Sequence, residues 1–250
     1  MHNSDLAQKG RTLALKATAL VLLGSVSLVG PYLYNEEVER RKASIEKTQA
    51  GSSNIPKLKL PSGKPNFAEI EDTNAKKKAF FDYLRPSINL ENRRISKERF
   101  FLEKLADKGV SNADAEDEAY AERLAKLYSL PLSTAGIDEK WVKEMLSRVN
   151  VIPEALVLTQ AANESAWGTS RFARIGLNFF GIWCYEKGCG MVPTHRNAGA
   201  KHEVMAFQSL DEAVAYYFYT INTHNAYRVF RTIRHELRSQ NQALHPEILA

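Results

Sequence analysis

The residues best suited to chemistry lie in segment 160–168, which reads QAANESAWG. Glu164 stands near the end of an apolar helical stretch, and Trp167 follows three positions later. Apolar surroundings raise the pKa of a carboxyl group, because desolvation disfavours its anion. A protonated carboxyl beside an aromatic ring is suited to protonating a glycosidic oxygen. From these residues alone, an ion pair of Glu164 with Arg171 or Arg174 is an equally good interpretation.

The elements around this segment predict a mostly α (α+β) protein. The helix that carries Glu164 begins at Pro153, since proline suits the first helical position, and we expect Gly168 to end it. It is apolar almost all round, which predicts a central position. Segment 177–208 has glycines, aromatic residues and short alternating runs that predict a small β-hairpin lobe, and Ser209 then caps another helix. Apolar periodicity predicts earlier helices over 74–85 (ended by Pro86), 95–108, 119–128 and 137–149.

The N-terminal region contains one run of membrane length, residues 17–33, preceded by Lys9, Arg11 and Lys16. Basic residues before such a run keep the N-terminus in the cytoplasm. We interpret the run as an anchor that places the rest of the chain on the periplasmic side of a bacterial inner membrane. Cleavage of a signal peptide near residues 25–27 is the alternative.

The composition divides the 250 residues into four parts. They are a cytoplasmic tip with the anchor or signal sequence (1–34), a charged helix with a flexible linker (35–73), a helical extension (74–136) and the domain that carries Glu164 (137–250). The net charge of +5 suits anionic partners such as a membrane surface or cell-wall polymer. No basic array interleaved with aromatic residues occurs, which argues against nucleic acid.

Cys184 and Cys189 lie in the segment WCYEKGCG. Export of this part of the chain favours a disulfide bond between them. A metal site with His195 and His202 is the alternative, but the spacing matches no standard zinc pattern. We therefore expect no metal and no cofactor.

Two further segments carry a family resemblance. AANESAWGTSRFA followed by NFFGIWC resembles the glucosaminidase domains of glycoside hydrolase family 73, whose hallmarks are an Ala-rich helix with E-S-x-W-G and then N-x-F-G-I. The segments GIWCYEKGCG, AGAKHEV and INTHNAYR favour the bacterial Bax-type branch, related to the flagellar muramidase FlgJ. The resemblance covers roughly residues 140–240. It implies a lysozyme-like helical lobe that faces a small β lobe across a glycan groove.

The resemblance also implies roles for the carboxylates. Glu164 corresponds to the general acid of the family. We match the second carboxylate, which lies in the β lobe, to Glu203, with Glu186 as the alternative. Both could equally be solvated hairpin charges. If Glu203 activates a water, the two carboxyl groups should lie about 6.5–9.5 Å apart and the anomeric configuration should invert. Retention or assistance by the substrate's acetamido group is the alternative if the pair is closer or Glu203 lies outside the cleft.

Aromatic and amide side chains complete the implied groove. Trp167, Phe179, Phe180 and Tyr227 are candidate platforms for sugar rings, although buried aromatic residues also build cores. We expect only one of the two phenylalanines to face the groove. Asn178 is a candidate hydrogen-bonding residue, or a turn residue. The family's groove tyrosine on a C-terminal helix is matched to no residue.

These features predict a peptidoglycan hydrolase. The expected activity is that of an endo-β-N-acetylglucosaminidase that cuts the glycan strand outside the cytoplasmic membrane. A muramidase or lytic transglycosylase of the same fold is one alternative. A glycan-binding module without catalytic activity is another.

Overall fold

The computed structural model describes residues 63–194, 196 and 199–249. The expected membrane segment, the charged helix after it and most of the expected linker lie outside these residues. Within the described part of the chain, no helix combines the length and the apolar character needed to cross a bilayer.

The described residues form a mostly helical structure with a small antiparallel sheet, as the sequence predicts. The helices are α1 (Thr73–Lys108), α2 (Ala115–Leu127), α3 (Glu139–Arg148), α4 (Glu154–Ser165), α5 (Arg171–Gly176), α6 (Leu210–Thr223), α7 (Arg228–Ser239) and α8 (Pro246–Leu249). Short 3₁₀ turns span Val110–Asn112 and Asn225–Tyr227. Between α5 and α6 lie β1 (Trp183–Cys184), β2 (Gly190–Met191) and β3 (Glu203–Met205), paired in the order β1-β3-β2.

Helix α1 is continuous over 36 residues, where the sequence predicted two helices separated at Pro86. A proline inside a helix costs about 3 kcal/mol, because it removes a hydrogen bond and crowds the preceding turn. Leu84 and Ile88, on either side of Pro86, are both fully buried. Burial of one such side chain contributes about 1.5–3 kcal/mol. Packing on both sides of the proline therefore keeps the helix continuous.

The helical extension and the domain predicted to follow it share one hydrophobic core. Helix α1 contacts α3, α4 and α6. Its buried side chains and those of the later helices belong to a single cluster. The hydrophobic core therefore continues across the predicted domain boundary at residue 136, and α1 packs against the helix that carries Glu164.

The end of the expected linker is also packed. Phe67 is 2% exposed and lies against Phe80, with 5.5 Å between the ring centroids. Its ring covers Gly168, where an added Cβ would lie 2.4 Å from a ring carbon. Lys64 donates to the carbonyl oxygens of Ala173 and Arg174 in the last turn of α5. Residues 64–67 thus tie the N-terminal segment to the chain that follows α4.

Helix α7 positions the turn that carries Tyr227. Arg231 is buried and donates to the carbonyl oxygens of Ile221 (3.1 Å) and His224 (2.7 Å), which closes the end of α6. Arg234 is fully buried and donates to four carbonyl oxygens at and beyond the end of α3. Burial lowers the pKa of Arg234 to about 9. Arg231 thus ties α7 to the end of α6, and Arg234 ties α7 to the end of α3 and the residues after it.

Candidate active site

Glu164 lies in the last turn of α4, next to an abrupt change in chain direction. The helix ends at Ser165, and both Ala166 and Trp167 adopt left-handed backbone angles (φ 49° and 57°). The Ser165 hydroxyl donates to the carbonyl oxygen of Ala161 (2.5 Å) and accepts from the N–H of Gly168 (2.9 Å). The helix therefore ends three residues before the expected position, and Glu164 is exposed at its end.

The backbone at Gly181 lies directly against the Glu164 carboxyl group. A Cβ added at Gly181 would lie 2.8 Å from Oε2 of Glu164, and Gly181 has a φ of +64°. Both observations require glycine at this position. This contact brings the end of α4 to the beginning of the β lobe, where β1 starts two residues later.

No ion pair of Glu164 occurs within the described residues, so the salt-bridge interpretation is not observed there. Arg171 donates instead to Oγ1 of Thr194 (3.2 Å) and to the carbonyl oxygen of Val192 (3.3 Å). Although Glu164 reaches solvent, partial burial of its carboxyl group raises its pKa. The Glu164 carboxyl group is thus in close contact with the Gly181 backbone on one side and exposed to solvent on the other.

Two tyrosine hydroxyls share the electrostatic environment of Glu164. Burial and, second, the charge of Glu164 raise the pKa of Tyr227 to about 12. Burial, with smaller contributions from Tyr227 and Glu164, raises the pKa of Tyr217 well above its usual value. Both hydroxyls are therefore close enough to Glu164 for its charge to affect their pKa values.

Tyr217 connects the helix of Glu164 to the turn before β1. Its hydroxyl donates to Oε1 of Gln160, one helical turn before Glu164, at 2.6 Å. The Phe180 ring stacks on Tyr217 with 4.3 Å between centroids and 18° between planes. Phe179 is fully buried in the core, and Phe180 is only 7% exposed. Neither phenylalanine therefore presents an open ring face, and the Phe180 ring packs against Tyr217.

Trp167 packs toward α1. Its ring lies 5.5 Å from the rings of both Phe80 and Phe81, and the Lys77 ammonium group lies 5.3 Å from its centroid. The left-handed turn after Ser165 directs the indole to this position. Trp167 thus supports the end of α4 from the α1 side.

Asn178 is buried, and its amide is used entirely within the protein. Nδ2 donates to the carbonyl oxygens of Ile182 (2.7 Å) and Met205 (2.8 Å). Oδ1 accepts from the N–H groups of Phe180 (3.3 Å) and Ile182 (3.0 Å). All four hydrogen-bonding positions of the amide are filled. This arrangement favours the turn interpretation of Asn178, which holds Gly181 against Glu164.

Glu203 lies in β3 and is 5% exposed. Its carboxylate accepts hydrogen bonds from the N–H groups of Gly188 (3.1 Å to each oxygen) and Gly190 (2.9 Å). Cys184 and Cys189 form a disulfide bond that closes the same turn. The arrangement gives Glu203 a positioning role in the β lobe, and it disfavours the expected water-activating role. The alternative Glu186 is exposed on the turn.

Two comparisons with known proteins bear on this arrangement. Residues 139–246 match the family model described as Glucosaminidase: Mannosyl-glycoprotein endo-beta-N-acetylglucosaminidase. The chain is also 34% identical over 202 residues to Protein bax of Escherichia coli (strain K12), which covers 80% of this chain and 67% of that protein. This chain belongs to the glucosaminidase family. No solved structure matches it.

Two features of the candidate site in this family member were not predicted from the sequence. Gly181 stands in the N-x-F-G-I segment, whose glycine signalled only a turn, and its contact with Glu164 depends on the packing of two separate segments. Tyr217 lies among several aromatic residues of α6 that share a helical pattern typical of a core. Its hydrogen bond to Gln160 distinguishes it from its neighbours.

Replacing Glu203 by glutamine tests its role in positioning the turn between Cys184 and Cys189. The amide of glutamine keeps one acceptor oxygen and brings a donor toward the N–H groups of Gly188 and Gly190, so we expect a loosened turn. The disulfide Cys184–Cys189 should then be reduced faster by dithiothreitol than in the wild type. A Glu186→Gln variant is the matched control and should keep the wild-type rate. A catalytic role alone would lower glycan release and leave the rate of reduction unchanged.

Proposed function

We propose that this protein is a peptidoglycan hydrolase that cleaves the glycan strand after N-acetylglucosamine, with Glu164 as the general acid. The observation that carries the proposal is the state of Glu164. Its carboxyl group is exposed at the end of α4, has no ion pair within the described residues and has a pKa raised by partial burial. A carboxyl group in this state can hold a proton and reach a bound substrate.

The first chemical step is protonation of the leaving oxygen. Glu164 donates its proton to the glycosidic oxygen as the bond from that oxygen to C1 breaks. We assign the stabilisation of C1 to the substrate, because both carboxylate oxygens of Glu203 already accept backbone hydrogen bonds. The carbonyl oxygen of the neighbouring acetamido group then bonds to C1 and forms a cyclic oxazolinium.

The second step regenerates the acid. The Glu164 carboxylate accepts a proton from a water molecule as the water oxygen bonds to C1, and the bond from C1 to the acetamido oxygen breaks. The acetamide is restored, Glu164 is protonated again, and the configuration at C1 is retained. Activation of the water by Glu203 would give inversion instead.

Peptidoglycan is the substrate that fits the other features of the chain. The family model is described as a mannosyl-glycoprotein endo-beta-N-acetylglucosaminidase, which supports cleavage after N-acetylglucosamine, and the net charge of +5 suits an anionic polymer such as peptidoglycan. The disulfide Cys184–Cys189 fits an oxidising compartment outside the cytoplasm. We accordingly propose that the protein acts on the periplasmic side of the inner membrane, with residues 17–33 as its anchor.

An assay on purified sacculi distinguishes a hydrolase from a glycan-binding module without catalytic activity. The protein should pellet with sacculi and release soluble glycan fragments over time. Pelleting of the wild-type protein without any release would establish the binding module instead. Mass spectrometry of the released fragments then identifies the bond that is cut.

The raised pKa of Glu164 predicts the pH dependence of kcat/KM. The acid form is the active form in the first step, so kcat/KM should be constant while Glu164 is protonated. It should fall as pH rises through a pKa above the ordinary glutamate value, because partial burial raises that pKa. Initial rates on soluble glycan strands across pH measure this profile. A bell-shaped profile with an additional acidic limb would point to a second catalytic carboxylate.

A further inference from the structure

Trp183 lies on the face of the sheet opposite the small core of the β lobe. Successive residues of a strand point to opposite faces. Its neighbours Ile182 and Cys184 both pack into that core, together with Met205 and Tyr216. Trp183 belongs to neither hydrophobic cluster and is half-buried. Its indole is therefore directed away from the core.

His202 holds the indole in place. The two rings stack with 4.3 Å between centroids and 22° between planes. Trp183 is paired with Val204 across β1 and β3, and His202 lies two residues before Val204, so the stack is a diagonal contact on one face. Within the described residues, no ring covers the other side of the indole. One side of the Trp183 indole is thus covered by the His202 ring, and among the described residues no second ring stacks on the other side.

This face of the sheet lies against the chain that follows Glu164. Met191 is paired with Val204, so it shares the face of Trp183. Helix α5, which follows α4 directly, lies on that face, since a Cβ added at Gly176 would meet Sδ of Met191 at 3.0 Å. Gly181 contacts the Glu164 carboxyl group, and at most about 7 Å of extended chain separates the Cα atoms of Gly181 and Trp183.

We propose that Trp183, supported by His202, is a stacking platform for an N-acetylated sugar ring of the glycan strand, adjacent to the bond that Glu164 protonates. The proposal rests on the proposed function of the same site. The apolar face of a pyranose ring stacks on an indole, whose large rigid surface is well suited to such contacts. The platform stands on the β lobe, across the groove from α4. It therefore contributes to the affinity for the glycan strand and to the alignment of that glycan with Glu164.

The test measures binding separately from cleavage. Glu164→Gln in the full-length chain is the parent protein, because the strand then stays intact during the titration. The ligand is soluble glycan strands from sacculi whose peptide stems have been removed. Intrinsic tryptophan fluorescence and, independently, calorimetry give the Kd. The variants in this background are Trp183→Ala and Trp183→Phe, and Phe100→Ala is the control because Phe100 is an exposed aromatic residue of α1.

We expect Trp183→Ala to raise the Kd roughly tenfold and Trp183→Phe to raise it less, because a smaller ring is retained. Phe100→Ala should leave the Kd unchanged, and Trp183→Phe should lose most of the fluorescence change on binding. An unchanged Kd in both Trp183 variants would overturn the platform while leaving the proposed function intact. Failure of the parent and the wild type to bind glycan strands would overturn the proposed function and the platform together. Circular dichroism of each variant establishes that it is folded.

Discussion

Glu164→Gln is expected to lower the rate of glycan release from sacculi by about 10²–10⁴-fold, the range that general acid catalysis contributes. Glutamine has nearly the same shape and cannot donate a carboxylic proton to the leaving oxygen. The variant should fold normally, because Glu164 is exposed and has no ion pair within the described residues. Release of dye-labelled fragments measures the rate, and the melting temperature reports the fold.

A matched control separates this effect from a general change of charge. Glu122 is an exposed glutamate in α2. Glu122→Gln removes the same charge and should release fragments at the wild-type rate. If Glu164→Gln keeps more than a tenth of the wild-type rate, Glu164 is not the general acid and another group supplies the proton.

Gly168→Ala is expected to destabilise the fold by about 3 kcal/mol or more. A left-handed backbone conformation costs a residue with a Cβ about 1–2 kcal/mol, and Gly168 has a φ of +77°. The added Cβ would also lie 2.4 Å from the ring of Phe67, which is 2% exposed. The ring must move, and complete loss of a buried phenylalanine costs about 3–5 kcal/mol. Urea denaturation measures the change in the free energy of unfolding.

Two further variants separate the free-energy cost of the left-handed backbone from the cost of the clash with Phe67. Gly136 has a φ of +86° and nothing within 4 Å of an added Cβ, so Gly136→Ala should show the backbone cost alone. In a Phe67→Ala background, the cost of Gly168→Ala should fall to a similar value, because the ring is gone. An equal cost of Gly168→Ala with and without Phe67 would show that residues 64–67 do not pack on the α4–α5 connection.

Local signals in the sequence predicted the helices well where a cap or an apolar face determined them. Ser209 caps α6 as expected, and its hydroxyl accepts from the N–H of Glu212 at 3.1 Å. Helix α4 begins next to Pro153 and contains buried Val157 and Ala161, as a central helix should. These features depend on neighbouring residues in the chain, which the sequence displays directly.

The sequence did not reveal features that depend on distant packing. The continuity of α1 through Pro86 is stabilised by side chains from later helices. Phe67 stands in a segment whose composition is typical of a linker, and its burial requires the glycine at position 168. Glu203 was expected in the groove, and its three hydrogen bonds to the disulfide-closed turn could be found only from the register of β3 and the turn.

The most direct test of the proposed function is the chemical identity of the new sugar ends produced from sacculi. Fragments released by the wild-type protein are reduced with sodium borodeuteride and analysed by mass spectrometry, in parallel with Glu164→Gln. We predict deuterium-labelled N-acetylglucosaminitol ends with the wild type and almost none with the variant. Labelled N-acetylmuramitol ends, 1,6-anhydro-muramic ends, or equal release by both proteins would contradict the account.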